Sequence, residues 1–143
     1  MKASDVLIRK LKSMEGFSSK AYFDRTGKVW TIGYGHTENV KAGDVISEYQ
    51  GEQLLREDLK RFEAHADKVR GLNTQGKYDA VVDFCYNCGI GNFDKSTLRK
   101  YIESGRKDWE IQEQFLRWVN SGGVKLGGLV SRRIWEANRW CEK

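Results

Sequence analysis

Trp30-Thr31-Ile32-Gly33-Tyr34-Gly35-His36-Thr37, read with Glu15 and Asp24 upstream, is the stretch on which the fold of this 143-residue chain turns. From Lys20 to Thr37 aromatic and β-branched residues alternate with glycines, and Asp24-Arg25-Thr26-Gly27 reads as a turn between two extended runs. The segment predicts a small hairpin or a three-stranded sheet, with Thr31, Gly33 and Gly35 on one strand face. A phosphate loop fits poorly, because neither a lysine nor a helix start follows the glycines. A strand approached closely by a ligand or by another backbone fits better.

Helices are expected on both sides. Ser4 is placed to cap a first helix whose apolar residues Leu7, Ile8, Leu11 and Met14 follow helical spacing and stop at Glu15-Gly16. Ser47-Glu48-Tyr49-Gln50 fits a capping box, and Leu55, Leu59, Phe62, Ala66 and Val69 then recur every three or four residues, predicting a long helix to about Arg70. Gly71 breaks the pattern. A buried helix carrying Tyr78, Val81, Val82, Cys85 and Cys88 follows and ends at Gly89-Ile90-Gly91. Shorter helices are expected around 98–102, 109–119 and 129–141, separated by Gly105 and the glycine-rich stretch 122–128. The class is α+β: one domain over 1–143, with a sheet-bearing lobe to about residue 46, a linking helix over about 47–70, and a helical lobe over 71–143.

Composition narrows the function. The net charge is +5, with 14 cations against 13 anions up to Phe93 and 11 against 7 beyond it. Such an excess favours an anionic polymer, nucleic acid or a carboxylate-bearing glycan. No helix carries a clustered basic stripe, so no nucleic-acid partner is expected. The first apolar run lasts three residues, far short of a signal-peptide core or a membrane span, so no stable membrane insertion is expected. Cys85, Cys88 and Cys141 are an odd number, and although Cys85-Tyr86-Asn87-Cys88 fits C-x-x-C, no second pair completes a four-ligand set, which reads as reduced thiols, with no metal and no cofactor.

The candidate chemistry lies in two carboxylates and a hydroxyl. A general acid at neutral pH needs a desolvated carboxyl or one near negative potential. Glu15 is placed at the end of the first helix, where unpaired carbonyls concentrate negative potential, with Met14 and Phe17 as apolar flanks. Taken singly, each residue also has an ordinary reading. A glutamate at a helix end is commonly a surface group, Asp24 before a glycine is a turn residue bonding its own backbone, Thr31 is a strand threonine, and His36 is a structural histidine.

The conjunction changes that. Glu15-Gly16-Phe17, Ala21-Tyr22-Phe23-Asp24, Gly27 and Thr31 to Thr37 closely resemble the phage-type lysozymes of glycoside hydrolase family 24. The likeness continues through Leu72-Asn73, Gln75, Tyr78-Asp79-Ala80-Val81, Asn87 with Gly89, Ser96-Thr97-Leu98 and Gly128-Leu129-Val130-Ser131-Arg132-Arg133, covering nearly the whole chain. The resemblance implies a lysozyme-like fold and a muramidase that cuts the β-1,4 bond between N-acetylmuramic acid and N-acetylglucosamine with inversion. It makes Glu15 the general acid and gives Asp24 and Thr31 the attacking water; Thr37, Tyr86 and Thr97 become candidate glycan contacts. Inversion calls for carboxyl groups roughly 6.5 to 9.5 Å apart.

Two departures from the family pattern stand out. Six residues separate Asp24 from Thr31 where the familiar pattern has five, so a bulge near Val29-Trp30 is expected to absorb the extra one. Gly127-Gly128 stands where relatives often carry proline. Arg132, Arg133 and Arg139 are expected to serve structure, tying the last helix to the sheet lobe through acids such as Glu136, in preference to facing an anionic wall polymer. The resemblance further implies a monomeric endolysin acting on peptidoglycan strands, held in the host cytoplasm until a partner such as a holin permeabilises the membrane, and then reaching the wall from the periplasm. The alternative is a non-catalytic peptidoglycan binder on the same scaffold.

Overall fold

Leu7, Ile8 and Leu11 are all buried along α1 (Asp5–Glu15), the face their spacing predicts, and the helix stops at the glutamate. A computed structural model describes residues 1–121, 124–125 and 127–143. It divides the chain into two compact units, Asp5–Lys60 and a second made of Met1–Ser4 with Arg61–Lys143.

In the first unit α1 is followed by β1 (Ser18–Asp24) and β2 (Val29–Gly33), an antiparallel hairpin. Pairing is regular from Asp24↔Val29 through Phe23↔Trp30 to Tyr22↔Thr31, and the irregularity lies between Ser18 and Tyr22. The bulge expected near Val29-Trp30 is therefore absent. Residues 25–28 form a turn in which Lys28 has φ of 54°, and no residue is left over in the β2 ladder. Of the two sheet readings the hairpin is the one realised. Among the described residues, what would be a third strand shrinks to the isolated bridge Lys20↔Val45, flanked by bonds from Ala21 N to Asp44 O and from Ile46 N to Ser19 O, both 2.9 Å.

Gly35 does not share the strand face of Thr31. Ile32 and His36 exchange two backbone bonds of 2.9 Å, so Gly33-Tyr34-Gly35 is a tight reversal, with φ of 66° at Gly33 and 87° at Gly35. These left-handed values explain the glycines better than close approach by a ligand does. A Cβ on Gly33 would also meet Ile46 Cδ1 at 3.2 Å.

α2 (Glu48–Ala66) opens with the expected capping box, Ser47 N donating to Gln50 Oε1 at 2.8 Å and Gln50 N to Ser47 Oγ at 3.1 Å. Leu55, Leu59, Phe62 and Ala66 are buried, each large side chain contributing about 1.5–3 kcal/mol. The helix ends at Ala66, before Arg70, because Lys68 and Val69 turn back to the carbonyls of His65 and Ala66. Val69 is buried from that turn.

The second unit holds α3 (Gln75–Cys88), α4 (Ile90–Lys95), α5 (Thr97–Glu103), α6 (Asp108–Leu116) and α7 (Gly127–Trp140), with a short pairing of β3 (Asn120–Ser121) and β4 (Val124–Lys125). Thr74 caps α3, accepting from Lys77 N at 3.2 Å. Sequence reading missed α4, since Gly89-Ile90-Gly91 looks like a stop; Gly89 instead separates two helices. Gly127 and Gly128 belong to α7, while Gly122, Gly123 and Leu126 of the expected glycine-rich connection lie outside the described residues.

A seam of buried charge joins α3 to α7. Arg132 donates to both oxygens of Asp83 at 3.1 and 2.8 Å, and Arg139 donates twice to Asp79 Oδ2 at 3.1 and 2.8 Å. Arg133 meets Glu136 and reaches Asn87 Oδ1 at 2.8 Å. The arginines are structural, as expected, but these acids all lie in the helical unit, two of them on α3 and none in the sheet lobe. Burial alone would raise the carboxyl of Asp83, yet Glu136 and Arg132 hold it below its ordinary value; burial and the neighbouring Asp83 push Glu136 well above its own. Asp79 also accepts from Ser4 N at 3.1 Å and from Ser4 Oγ, while Ala3 N donates to Glu63 Oε2 at 2.7 Å. The first four residues are thereby fastened to the helical unit.

Candidate active site

All three residues expected to carry chemistry fall in the unit Asp5–Lys60. Glu15 is the last residue of α1, where the run of carbonyls ends. It is exposed, so Met14 and Phe17 do not supply the shelter expected of them. The Phe17 ring packs instead on Tyr34, centroids 5.2 Å apart, and fills the space over Gly51, where a Cβ would sit 2.8 Å from it.

That packing is part of a frame behind the hairpin. Tyr34 is buried and its hydroxyl donates to Glu48 Oε1 at 3.0 Å, while Lys12 pairs with Glu52 and Arg56 donates to Glu52 Oε2 at 3.1 Å. The bond to Lys12, and then that to Arg56, lowers Glu52 below its ordinary value; the same Glu52 bond raises Lys12. The network ties α1, which ends in Glu15, to the start of α2. Separately, His36 joins the residue after the hairpin reversal to α2, with Nδ1 2.8 Å from Asp58 Oδ2 and Nε2 2.9 Å from the Glu38 carbonyl. Both contacts make His36 the structural histidine that its lack of ligand-spaced partners suggested.

Asp24 closes the hairpin and is half-buried. Its Oδ1 accepts from Thr26 N at 3.0 Å, so the ordinary turn reading is realised at this atom. The two readings are compatible, because a carboxylate has lone pairs to spare and the turn bond fixes its orientation. Thr31 is 4% exposed, and its Oγ1 donates to Val29 O at 3.3 Å, leaving the hydroxyl oxygen as an acceptor.

Register decides what these two share. Asp24 lies opposite Val29, two residues before Thr31, so Asp24 and Thr31 are diagonal neighbours on one sheet face. Such neighbours are about 7–8 Å apart in the backbone, with side chains closer, a span that one water can bridge. Tyr22, opposite Thr31 and two residues before Asp24, occupies the same face. Sequence reading did not single it out; period-two counting back from Asp24 was the available signal, usable only once the turn length was known.

Thr37 is exposed, just past the bridge formed by His36. Tyr86 and Thr97 belong to the other unit. Tyr86 is half-buried with its ring edge-on to Phe62 at 5.4 Å, and Thr97 is exposed at the start of α5 behind the cap made by Ser96. Among the described residues no group of three or more metal-ligating side chains gathers, and no helix is long and apolar enough to cross a membrane. Cys85, Cys88 and Cys141 are free thiols.

Against known proteins, the pattern of the family described as phage lysozyme matches residues 12–136. The endolysin of Bacillus phage B103 is 42% identical over 136 residues, covering 93% of this chain and 51% of that protein. The endolysin of Bacillus phage PZA is 41% identical over 139 residues, covering 95% of this chain and 54% of that protein. The chain thus spans about half the length of these curated relatives. Among solved structures, the muramidase domain of SpmX from Asticaccaulis excentricus superposes with a TM-score of 0.90 at 29% identity, covering 99% of each chain.

Proposed function

The chain belongs to the phage lysozyme family, and from that premise we propose that it is a muramidase, a glycoside hydrolase that cuts the β-1,4 bond between N-acetylmuramic acid and N-acetylglucosamine in peptidoglycan and serves as an endolysin in host lysis. The observation that carries the reading is the placement of Asp24 and Thr31 as diagonal neighbours on one hairpin face, in the same unit as a glutamate that ends a helix. The names of its relatives, endolysins and a muramidase domain, support the substrate class.

In this reading Glu15 gives its proton to the departing glycosidic oxygen as positive charge develops on the sugar. A water on the opposite face donates one hydrogen bond to Asp24 and one to Thr31 Oγ1, which is free to accept because its own proton is directed at Val29 O. Asp24 takes the water's proton as the new bond to the anomeric carbon forms, and configuration inverts. Glu15 is exposed before substrate arrives, so covering it falls to the glycan, which also expels bulk water from the reacting centre. Thr37, Tyr86 and Thr97 are proposed as glycan contacts. The protein works as a monomer and, in lysis, reaches the wall from the host cytoplasm after a holin-type partner opens the membrane.

Mass analysis of products from purified sacculi tests the reaction. Hydrolysis gives a reducing N-acetylmuramic end; a 1,6-anhydro end or cut peptide stems would overturn the assignment. Glu15→Gln should lower the rate by about 10²–10⁴-fold while leaving thermal unfolding unchanged. Binding to sacculi without any release of reducing sugar by the unmodified chain would instead identify the non-catalytic binder.

A further inference from the structure

Tyr22 is 48% exposed on β1, so its ring is accessible from solvent. Its neighbour Phe23 is similarly exposed, at 47%, but Phe23 faces the other side of the sheet, where its ring meets Trp30 edge-on at 5.7 Å. Among the described residues no ring contact, ion pair or hydrogen bond engages the Tyr22 side chain.

Strand alternation fixes the face on which Tyr22 stands. Residues two apart on a strand point the same way, so Tyr22 and Asp24 are companions, and the direct pairing Tyr22↔Thr31 brings the threonine to the same side. A directly opposed pair has Cβ atoms about 4.5–5.5 Å apart. Tyr22, Asp24 and Thr31 therefore form a triangle, with the ring adjoining the place where the water would be held.

We propose that Tyr22 is a substrate-positioning residue, its ring giving an apolar platform to the sugar unit beside the Asp24–Thr31 pair. The inference rests on the muramidase reading and deepens it. A hexosamine ring presents C–H groups on its faces and polar groups around its rim, so an aromatic face holds it without competing for the rim groups. The ring acts by contact area, and the phenol oxygen is dispensable.

Initial rates of reducing-sugar release from purified sacculi, measured across wall concentration for Tyr22→Ala, Tyr22→Phe and the control Tyr49→Ala, test it. Tyr49 is 74% exposed on α2 and absent from the hairpin face. Tyr22→Ala is expected to raise KM about tenfold with kcat changed less and thermal unfolding unmoved, Tyr22→Phe to restore most of the loss, and Tyr49→Ala to behave as the unmodified chain. A Tyr22→Ala protein with unchanged KM, or a Tyr22→Phe protein as impaired as the alanine variant, would overturn the proposal. Failure of the muramidase reading has another signature: the unmodified chain would release no reducing sugar. Tyr22 is still testable then by co-sedimentation with sacculi, comparing Glu15→Gln with the double variant Glu15→Gln/Tyr22→Ala; equal binding would refute it and weaker binding by the double variant would support it.

Discussion

The two units use charge in opposite ways. In the helical unit Arg132, Arg133 and Arg139 are all at least nine-tenths buried and meet acids that are fully buried, Asp83, Glu136 and Asp79. In the hairpin unit the two acids assigned to chemistry stay in reach of solvent, Glu15 exposed and Asp24 half-buried, and a supporting frame of Lys12, Glu52, Arg56, Tyr34 and Glu48 holds their elements in place. Buried charges must be paired because desolvation is costly, whereas a catalytic carboxyl must keep capacity for substrate and water. The difference implies that substitutions in the buried arginine seam act through unfolding and those at Glu15, Asp24 and Thr31 through turnover.

The strongest challenge to that division is Asp79→Ala. It removes the buried carboxylate that takes two bonds from Arg139, leaving that guanidinium only the exposed Glu142 at 3.3 Å, and it releases Ser4, so a loss of about 3–5 kcal/mol is expected, read by chemical denaturation. Activity per folded molecule should be unchanged; a fall in turnover at full folding would break the comparison.

A subtler change sharpens it. Glu136 is raised in the folded chain, so the folded state retains a proton there that the unfolded state releases above its ordinary carboxyl value. Stability from this group is present at acid pH and is lost as pH rises toward the raised value. Glu136→Gln keeps the neutral form at every pH and should flatten that decline in unfolding temperature. Asp83 has the reverse sign, its contribution falling away as the solution is acidified below the ordinary aspartate range. An unchanged decline in Glu136→Gln would show that the carboxyl is not held protonated inside the fold.

The smallest expected effect belongs to the hairpin. A Cβ on Gly27 would lie 3.3 Å from Asp24 Oδ2 and 3.4 Å from Val29 Cγ1, tight enough to shift the carboxylate by tenths of an ångström. Gly27→Ala should lower kcat about threefold with KM and unfolding temperature nearly constant, since small misplacements of a reacting group are felt in rate. An unchanged kcat would mean that the turn does not set the orientation of Asp24.

Much of this was legible in the residues. Helical spacing in α1, the capping box before α2 and the hairpin around Asp24 depend on local chemistry, and the structure realises all three. Readings failed where a local signal had two outcomes. Gly33 and Gly35 suggested a strand approached closely, yet they close a reversal, because a glycine signals permissive backbone without saying which conformation is used. Gly89 looked like the end of a helical region and proved to be a joint. The extra residue before Thr31 was expected in a bulge, but a turn accommodates length at lower cost than an interrupted ladder. Glu136, three residues from Arg133, was legible as its partner, whereas the α3 partners of Arg132 and Arg139 were out of reach of local reading, although Asp79 and Asp83, four apart on an otherwise apolar stripe, were a usable sign that cations would face them.

Stereochemistry tests the central claim most directly. Proton NMR of the first sugar ends released from a defined peptidoglycan fragment, recorded before mutarotation, reports the configuration at the cleaved carbon. Single displacement by a water held between Asp24 and Thr31 gives the α anomer from a β bond. A β anomer appearing first would contradict it, since retention requires a nucleophile other than that water.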